Sequence, residues 1–156
     1  DCKSIFRSQF ARATGESLKS ENIMNTRFAT INIQNLRLRT YIGFNPEEME
    51  KQQDVVINIE IRYQVNEQVL QDHVNDALNY KTVTKKVIKH VEQGRFLLLE
   101  KLVADILTIS CEHPTVHQAR VTVDKPHALR FADSVSLSLE YAADNANVVN
   151  YLEKAS

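Results

Sequence analysis

The spacing of hydrophobic residues changes from strand-like to helix-like and back along this chain. This order of elements limits the folds that the chain can adopt. Ile31 and Ile33 alternate with polar neighbours, and the alternation resumes in the opposite phase after Asn35, which predicts a strand with a β-bulge. A second alternating segment covers 57–63. Two helical patterns follow, at 83–91 and 99–107, and alternation returns at 119–123 and 135–141. The predicted order is therefore ββααββ.

This order predicts an α+β fold. Strands with one apolar and one polar face are typical of an antiparallel sheet with one face in water. The two helices between the second and third strands must then pack on the other face. A four-stranded antiparallel sheet leaves two edges with unpaired backbone groups, and joining subunits edge to edge into a ring removes such edges. We therefore expect a homo-oligomer.

Size and composition exclude several classes of protein. A chain of 156 residues with 43% hydrophobic and 25% charged residues is ordinary for one soluble domain. The net charge of -1 argues against nucleic acid as a partner. No stretch approaches the roughly 20 apolar residues of a membrane span, so no membrane partner is expected. Two cysteines, Cys2 and Cys111, favour a reducing cytoplasmic location over a disulfide framework.

The two ends of the chain differ from its middle. Residues 1–27 mix charged and small polar residues, and we interpret them as an N-terminal extension outside the core. Acidic residues within it argue against a transit peptide, although that alternative stays open. Residues 28–141 form the predicted domain. Residues 142–156 are a C-terminal extension that is compatible with a short helix.

The usual cofactor and metal motifs do not occur in this sequence. Its three glycines form neither a dinucleotide-binding nor a P-loop pattern. Cys111, His113 and His117 are close in sequence, but Pro114 breaks the helix that would align them, and no second pair completes a ligand set. We therefore expect no metal site.

Polar residues lie instead where strands meet helices. Glu48 follows the first strand, Tyr80 and Glu100 begin the two helices, and Lys125 ends the third strand. Each has an ordinary explanation when taken singly, because exposed charges are the norm and an acidic first turn complements the helix dipole. An ionised carboxylate such as Glu100 is also able to hold two donors of a guanidine-like ring edge.

Four segments join these residues into one pattern: LRLRTYIG, NDALNYKTVTK, RFLLLEKL and DKPHALRFADSVS. In this order they resemble the dihydroneopterin aldolase family over about residues 28–141, and most closely its dihydroneopterin triphosphate 2′-epimerases. Aldolases of the family typically carry histidine where this chain has Ile42, a departure that favours the epimerase branch.

The resemblance implies a tunnelling fold, in which sheets of four subunits close into a β-barrel ring and two rings stack into an octamer. Active sites would then lie between subunits. In this arrangement Glu48 and Tyr80 are expected from one subunit, and Glu100 and Lys125 from its neighbour.

The resemblance also implies roles for individual residues. Glu100, with Leu99 and Tyr80, is expected to bind the pterin ring. Lys125, Tyr80 and Glu48 are the implied catalytic residues, with Lys125 helping to protonate N5 and Tyr80 moving a proton at the 2′ hydroxyl.

The implied substrate carries a triphosphate, which cationic side chains are expected to bind. His127 and Arg130, together with Arg39, are candidates for binding it. The alternative to triphosphate binding by Arg130 is that it forms only a structural ion pair with Asp133.

The implied reaction is epimerisation at C2′ of 7,8-dihydroneopterin 3′-triphosphate by retro-aldol and aldol steps. It would need no cofactor, because the pterin imine itself accepts the electrons of the broken bond. Two alternatives remain open: an aldolase that releases 6-hydroxymethyl-7,8-dihydropterin and glycolaldehyde, and a non-catalytic pterin-binding oligomer.

Overall fold

A computed structural model of the chain describes residues 27–143. The two predicted extensions therefore lie outside the described residues, except for residues 27, 142 and 143. The first strand begins at Arg27 and the last ends at Ala142, one residue beyond the predicted domain at each end.

The four predicted strands and two predicted helices are all present. In chain order the elements are β1 (Arg27–Ile42), α1 (Pro46–Glu50), β2 (Gln53–Val65), α2 (Glu67–Leu70), α3 (Tyr80–Gln93), β3 (Arg95–Phe96), α4 (Leu99–Ser110), β4 (Val116–Lys125) and β5 (Val135–Ala142). The elements α1, α2 and β3 were not predicted, because they are too short to show a period. Within residues 27–143, no helix has the length and apolarity needed to cross a bilayer.

The sheet has the order β3-β1-β2-β4-β5. Its four long strands are antiparallel, as predicted, and β3 adds a two-residue parallel pairing beside Tyr41 and Ile42. The predicted bulge is also present, because the pairing of β1 with β2 shifts between Ile33 and Leu36. Asn35 adopts a φ of 55° there, and its backbone N–H donates to the Asn58 side chain. Asparagine tolerates this left-handed conformation better than most residues.

The core lies between the sheet and the helices α3 and α4. Alternate residues of β2 and β4, such as Ile57, Ile59 and Val121, are fully buried against Val91 and Ile106 of the two helices. The intervening strand residues form the opposite, largely polar face. The Asn79 side chain caps α3 by accepting hydrogen bonds from the backbone N–H groups of Lys81 and Thr82.

Both outer edges of the sheet are largely open. In the described part of the chain, β3 covers only the last two residues of β1, and no strand lies outside β5. Long unpaired edges are normally protected or used for pairing with another chain.

Candidate active site

Glu48 is folded back over the end of β1 by a glycine turn. Gly43 has a φ of 133°, a conformation that favours glycine, and its N–H donates to the Phe96 carbonyl at 2.9 Å. A Cβ atom at Gly43 would collide with the Glu48 carboxylate. Glycine at position 43 therefore leaves the space that the Glu48 carboxylate occupies.

The Glu48 carboxylate forms an ion pair with Lys125. The Lys125 Nζ atom lies 2.8 Å from Glu48 Oε2, and the side chains are only 13% and 24% exposed, respectively. The Gln53 amide donates to the same Oε2 atom at 3.0 Å and to the Ile42 carbonyl at 2.7 Å. The structure thus brings together two of the predicted residues and adds Gln53. Our sequence reasoning missed Gln53, because a polar residue at the start of a strand carries no distinguishing signal.

The surroundings of Glu48 stabilise its ionised form. The hydrogen bond from Lys125 is the main cause of a lowered pKa for Glu48, and the bond from Gln53 is the next. Partial burial opposes this shift without reversing it. The carboxylate therefore stays negative and holds the lysine ammonium in place as a potential proton donor.

This lowered pKa predicts a pH dependence of folding stability. Because the pKa of Glu48 is lower in the folded than in the unfolded chain, its contribution is present above the unfolded value of about 4.3 and is lost as pH falls through the folded value. We expect Glu48→Gln to lower the free energy of unfolding by on the order of 1 kcal/mol at neutral pH. That difference should shrink below about pH 4.

Urea unfolding at several pH values measures this difference, with Glu47→Gln as the control for removing a neighbouring surface charge. A Glu48→Gln difference that stays constant from neutral pH to pH 3 would contradict the expected linkage.

Glu100 lies at the same end of the molecule as this ion pair. The pairing of β3 with Tyr41 and Ile42 places the following residues beside the Gly43 turn. There Leu97 and Leu98 are exposed, Leu99 is partly buried, and Glu100 is exposed in the first turn of α4. An exposed apolar surface next to a carboxylate is suited to a flat ring with polar N–H groups on one edge.

Arg95 ties this segment to the helix that carries Glu48. Its guanidinium lies 3.8 Å from the centroid of the Tyr41 ring and donates to the Met49 carbonyl at 3.2 Å. The contacts of Arg95 therefore link the segment before Glu100 to α1.

Tyr80 lies far from these residues within one chain. The buried Thr40 hydroxyl donates to the Val91 carbonyl at 2.6 Å, which joins the C-terminal end of α3 to the end of β1. Tyr80 is the first residue of the 14-residue helix α3, so it lies about 16 Å from Val91 along the helix axis. Its side chain is 53% exposed.

These positions correct the expected division of the site between subunits. Glu48 and Tyr80 were expected from one subunit and Lys125 from its neighbour. That division is wrong for Glu48 and Lys125, because the two side chains are hydrogen-bonded within one chain.

Two of the three candidate phosphate-binding residues, His127 and Arg130, lie in the turn between β4 and β5, and Arg39 lies on β1. His127 is exposed and lines a cavity at this end of the sheet together with Arg39. The Arg130 guanidinium lies 5.6 Å from the centroid of the Phe131 ring. Arg130 and Asp133, both within the described residues, form no ion pair with each other.

The three residues considered as metal ligands are not brought together. The His113 ring is hydrogen-bonded to the Thr115 hydroxyl at 2.7 Å, and the His117 ring packs 5.1 Å from that of Phe28. Cys111 is buried at the end of α4. In the part of the chain that the structure describes, no three His, Cys, Asp or Glu residues form a group able to hold a metal ion.

Comparison with known proteins places this arrangement in a family. The model of the dihydroneopterin aldolase family (FolB) matches residues 31–140. The dihydroneopterin triphosphate 2′-epimerase of Escherichia coli (strain K12) is 54% identical over 113 residues, which are 72% of this chain and 94% of the relative.

Solved structures agree with the sequence match. A putative dihydroneopterin aldolase (FolB) from Vibrio cholerae has a TM-score of 0.68 and 31% identity, and the match covers 73% of this chain and 97% of that one. E. coli dihydroneopterin aldolase in complex with neopterin has a TM-score of 0.67 and 26% identity, with 73% and 99% coverage. The predicted α+β tunnelling fold is confirmed. The chain belongs to the dihydroneopterin aldolase family.

Proposed function

We propose that this protein is an isomerase that converts 7,8-dihydroneopterin 3′-triphosphate to 7,8-dihydromonapterin 3′-triphosphate by epimerisation at C2′. The identity of 54% to a dihydroneopterin triphosphate 2′-epimerase carries this proposal, since both solved aldolases are much less similar to the chain. The geometry supports it, because an ammonium group held on a carboxylate lies beside a surface suited to a pterin ring.

In this proposal Glu100 recognises the pterin. Its carboxylate accepts two hydrogen bonds from the aminopyrimidinone edge of the ring, and the neighbouring Leu99 contacts the ring face. The exposed position of Glu100 at the start of α4 leaves both carboxylate oxygens accessible to a ligand.

Lys125 and Tyr80 then move the protons of the retro-aldol step. Tyr80 relays the proton of the 2′ hydroxyl to water, taking up that proton as it gives up its own, while the bond between C1′ and C2′ breaks and its electron pair passes into the imine of the ring. Lys125 supplies a proton to N5, directly or through water, while Glu48 keeps the lysine oriented. The products of this step are an enol on the ring and an aldehyde that carries C2′ and C3′. Re-addition of the aldehyde through its other face inverts C2′, whereas its escape gives aldolase cleavage.

The proposal includes an assembly in which neighbouring subunits complete each site. The open edges of β1 and β5 are able to pair between copies and close four sheets into a ring, and two rings would stack into an octamer. Since Tyr80 lies about 16 Å along α3 from the contact with the end of β1, we assign it to the subunit next to the one that supplies Glu48 and Lys125.

The proposal also gives a setting for the reaction. The substrate is a small polyanion that does not cross membranes unaided, and the chain has a net charge of -1 with two cysteines. We therefore propose a cytoplasmic enzyme that acts without a nucleic-acid or membrane partner.

Product analysis tests the reaction directly. Purified protein is incubated with 7,8-dihydroneopterin triphosphate or with 7,8-dihydroneopterin, and the dephosphorylated, oxidised products are separated by chromatography. We expect monapterin as the main product, formed faster from the triphosphate. Mainly 6-hydroxymethylpterin would show an aldolase instead, and binding without conversion would show a non-catalytic pterin-binding protein.

A further inference from the structure

Two arginines on β1 project from the polar face of the sheet, away from the helices. Arg37 and Arg39 are exposed, whereas Leu38 and Thr40 are buried toward the helices, as strand alternation requires. The two arginines are therefore neighbours on one face, with their Cα atoms about 7 Å apart.

A cavity of about 710 Å³ lies beside these arginines. Its lining includes Arg37, Arg39, Asp54, Glu92 and His127. This volume is within the range of about 300–1,000 Å³ that is usual for small-molecule sites.

The cavity and the Glu48–Lys125 pair share the same end of the sheet. Gln52 lines the cavity and directly precedes Gln53, which donates to Glu48. On the other side, His127 follows Lys125 by two residues. Lys125 is in phase with the helix-facing Val121 and Val123, so a flexible tail on a substrate bound near it would pass round the ends of β2 and β4 to reach the two arginines on the opposite face.

The cavity lining carries two arginines, Arg37 and Arg39, and two carboxylates, Asp54 and Glu92, so an anion would be bound by oriented N–H donors and not by an excess of positive charge. Arg39 donates to Asp54 at 2.7 Å and to the Gln52 carbonyl at 3.0 Å, so its guanidinium is held in place and the Asp54 charge is compensated. The other N–H donors of the Arg39 guanidinium remain available. No carboxylate of residues 27–143 forms an ion pair with Arg37. Glu92 is the acidic residue of the lining that would oppose an anion.

We propose that this cavity is a triphosphate subsite in which Arg37 and Arg39 bind the phosphate groups, with His127 contributing at its edge. This inference rests on the proposed function. It explains how epimerisation would prevail over cleavage: the aldehyde fragment keeps the triphosphate on C3′ after the C1′–C2′ bond breaks, so the subsite holds the fragment until it re-adds.

Binding of inorganic tripolyphosphate tests the subsite without turnover. Isothermal titration calorimetry of the intact protein should show binding that Arg37→Ala weakens about tenfold, which is the size of one lost charge-assisted hydrogen bond. Glu92→Gln should strengthen the same binding, because it removes the opposing charge. Arg37→Lys should retain part of the affinity. Arg120→Ala is the matched control, since this exposed arginine lies on the same face of the sheet outside the cavity.

Kinetics and product ratios provide the second test. For Arg37→Ala, the ratio of kcat/KM for the triphosphate to kcat/KM for dihydroneopterin should fall about tenfold. The share of 6-hydroxymethyl product formed from the triphosphate should rise, because the fragment escapes more often. Loss of kcat/KM with an unchanged ratio would indicate a merely structural role and overturn the subsite.

The subsite and the proposed reaction can fail separately. Tripolyphosphate binding that depends on Arg37 and Glu92 in a protein that converts neither pterin would support the subsite and refute the reaction. Epimerisation with no detectable tripolyphosphate binding, or with equal affinities for wild type and Arg37→Ala, would refute the subsite and leave the reaction intact.

Discussion

Lys125→Ala is expected to lower kcat for dihydroneopterin triphosphate by about 10²–10⁴-fold, the usual contribution of a positioned acid or base. The change removes the ammonium that lies 2.8 Å from Glu48 and leaves Gln53 as the remaining side-chain donor to that carboxylate. The proton for N5 would then have to come from unpositioned water. Lys125→Arg should not restore the rate, because a guanidinium keeps its proton under these conditions.

Lys86→Ala is the matched control for this prediction. Lys86 also pairs with a carboxylate, Glu112, at 2.7 Å, but the lysine side chain is 54% exposed on α3. Its loss should change kcat less than twofold, because an exposed ion pair contributes at most about 1 kcal/mol to folding and Lys86 is not among the residues assigned a role in the reaction. Steady-state kinetics with both variants, after circular dichroism has confirmed folding, makes the comparison. A Lys125→Ala enzyme within tenfold of wild type would rule out the assigned acid.

Mixed oligomers of two inactive variants are expected to recover activity. Tyr80→Phe removes the proton relay from one side of each site, and Lys125→Ala removes the proton donor from the other side. In a ring with random subunit order, about one quarter of the sites would combine an intact Tyr80 with an intact Lys125 from its neighbour. Co-expression with two different affinity tags, followed by tandem purification, gives oligomers that contain both variants, and their kcat should approach this fraction of the wild-type value.

A second mixture serves as the control. Glu48→Gln and Lys125→Ala alter residues that are hydrogen-bonded within one chain, so no site in their mixture has both residues intact. This mixture should stay at the activity of the single variants. Recovery in the Glu48 mixture, or its absence in the Tyr80 mixture, would contradict the division of the site that we propose.

Periodicity in the sequence was sufficient to predict the main elements of the fold. The change of phase after Asn35 predicted the bulge that the structure has between Ile33 and Leu36. The short elements α1 and β3 could not be predicted in this way, because a segment of two to five residues completes too little of a period. These two elements nevertheless position Glu48 and the segment before Glu100.

The sequence could also indicate candidate site residues, but not all of their neighbours. Glu100 and Lys125 were chosen because they lie at element boundaries within motifs that resemble a known family, and Glu48 because it follows the first of these motifs. Gln53 was missed, since only the folded chain brings its amide to both Glu48 and the Ile42 carbonyl.

The sequence by itself determined which faces of the strands and helices are buried, because local periodicity and burial follow the same repeat. Only the tertiary structure decided that Glu48 and Lys125, 77 residues apart, are hydrogen-bonded within one chain while Tyr80 lies at the far end of α3. The physical reason is that such contacts depend on strand register, on the Gly43 turn and on where α3 meets β1. These are relations between distant segments, and a pattern within any one segment does not contain them.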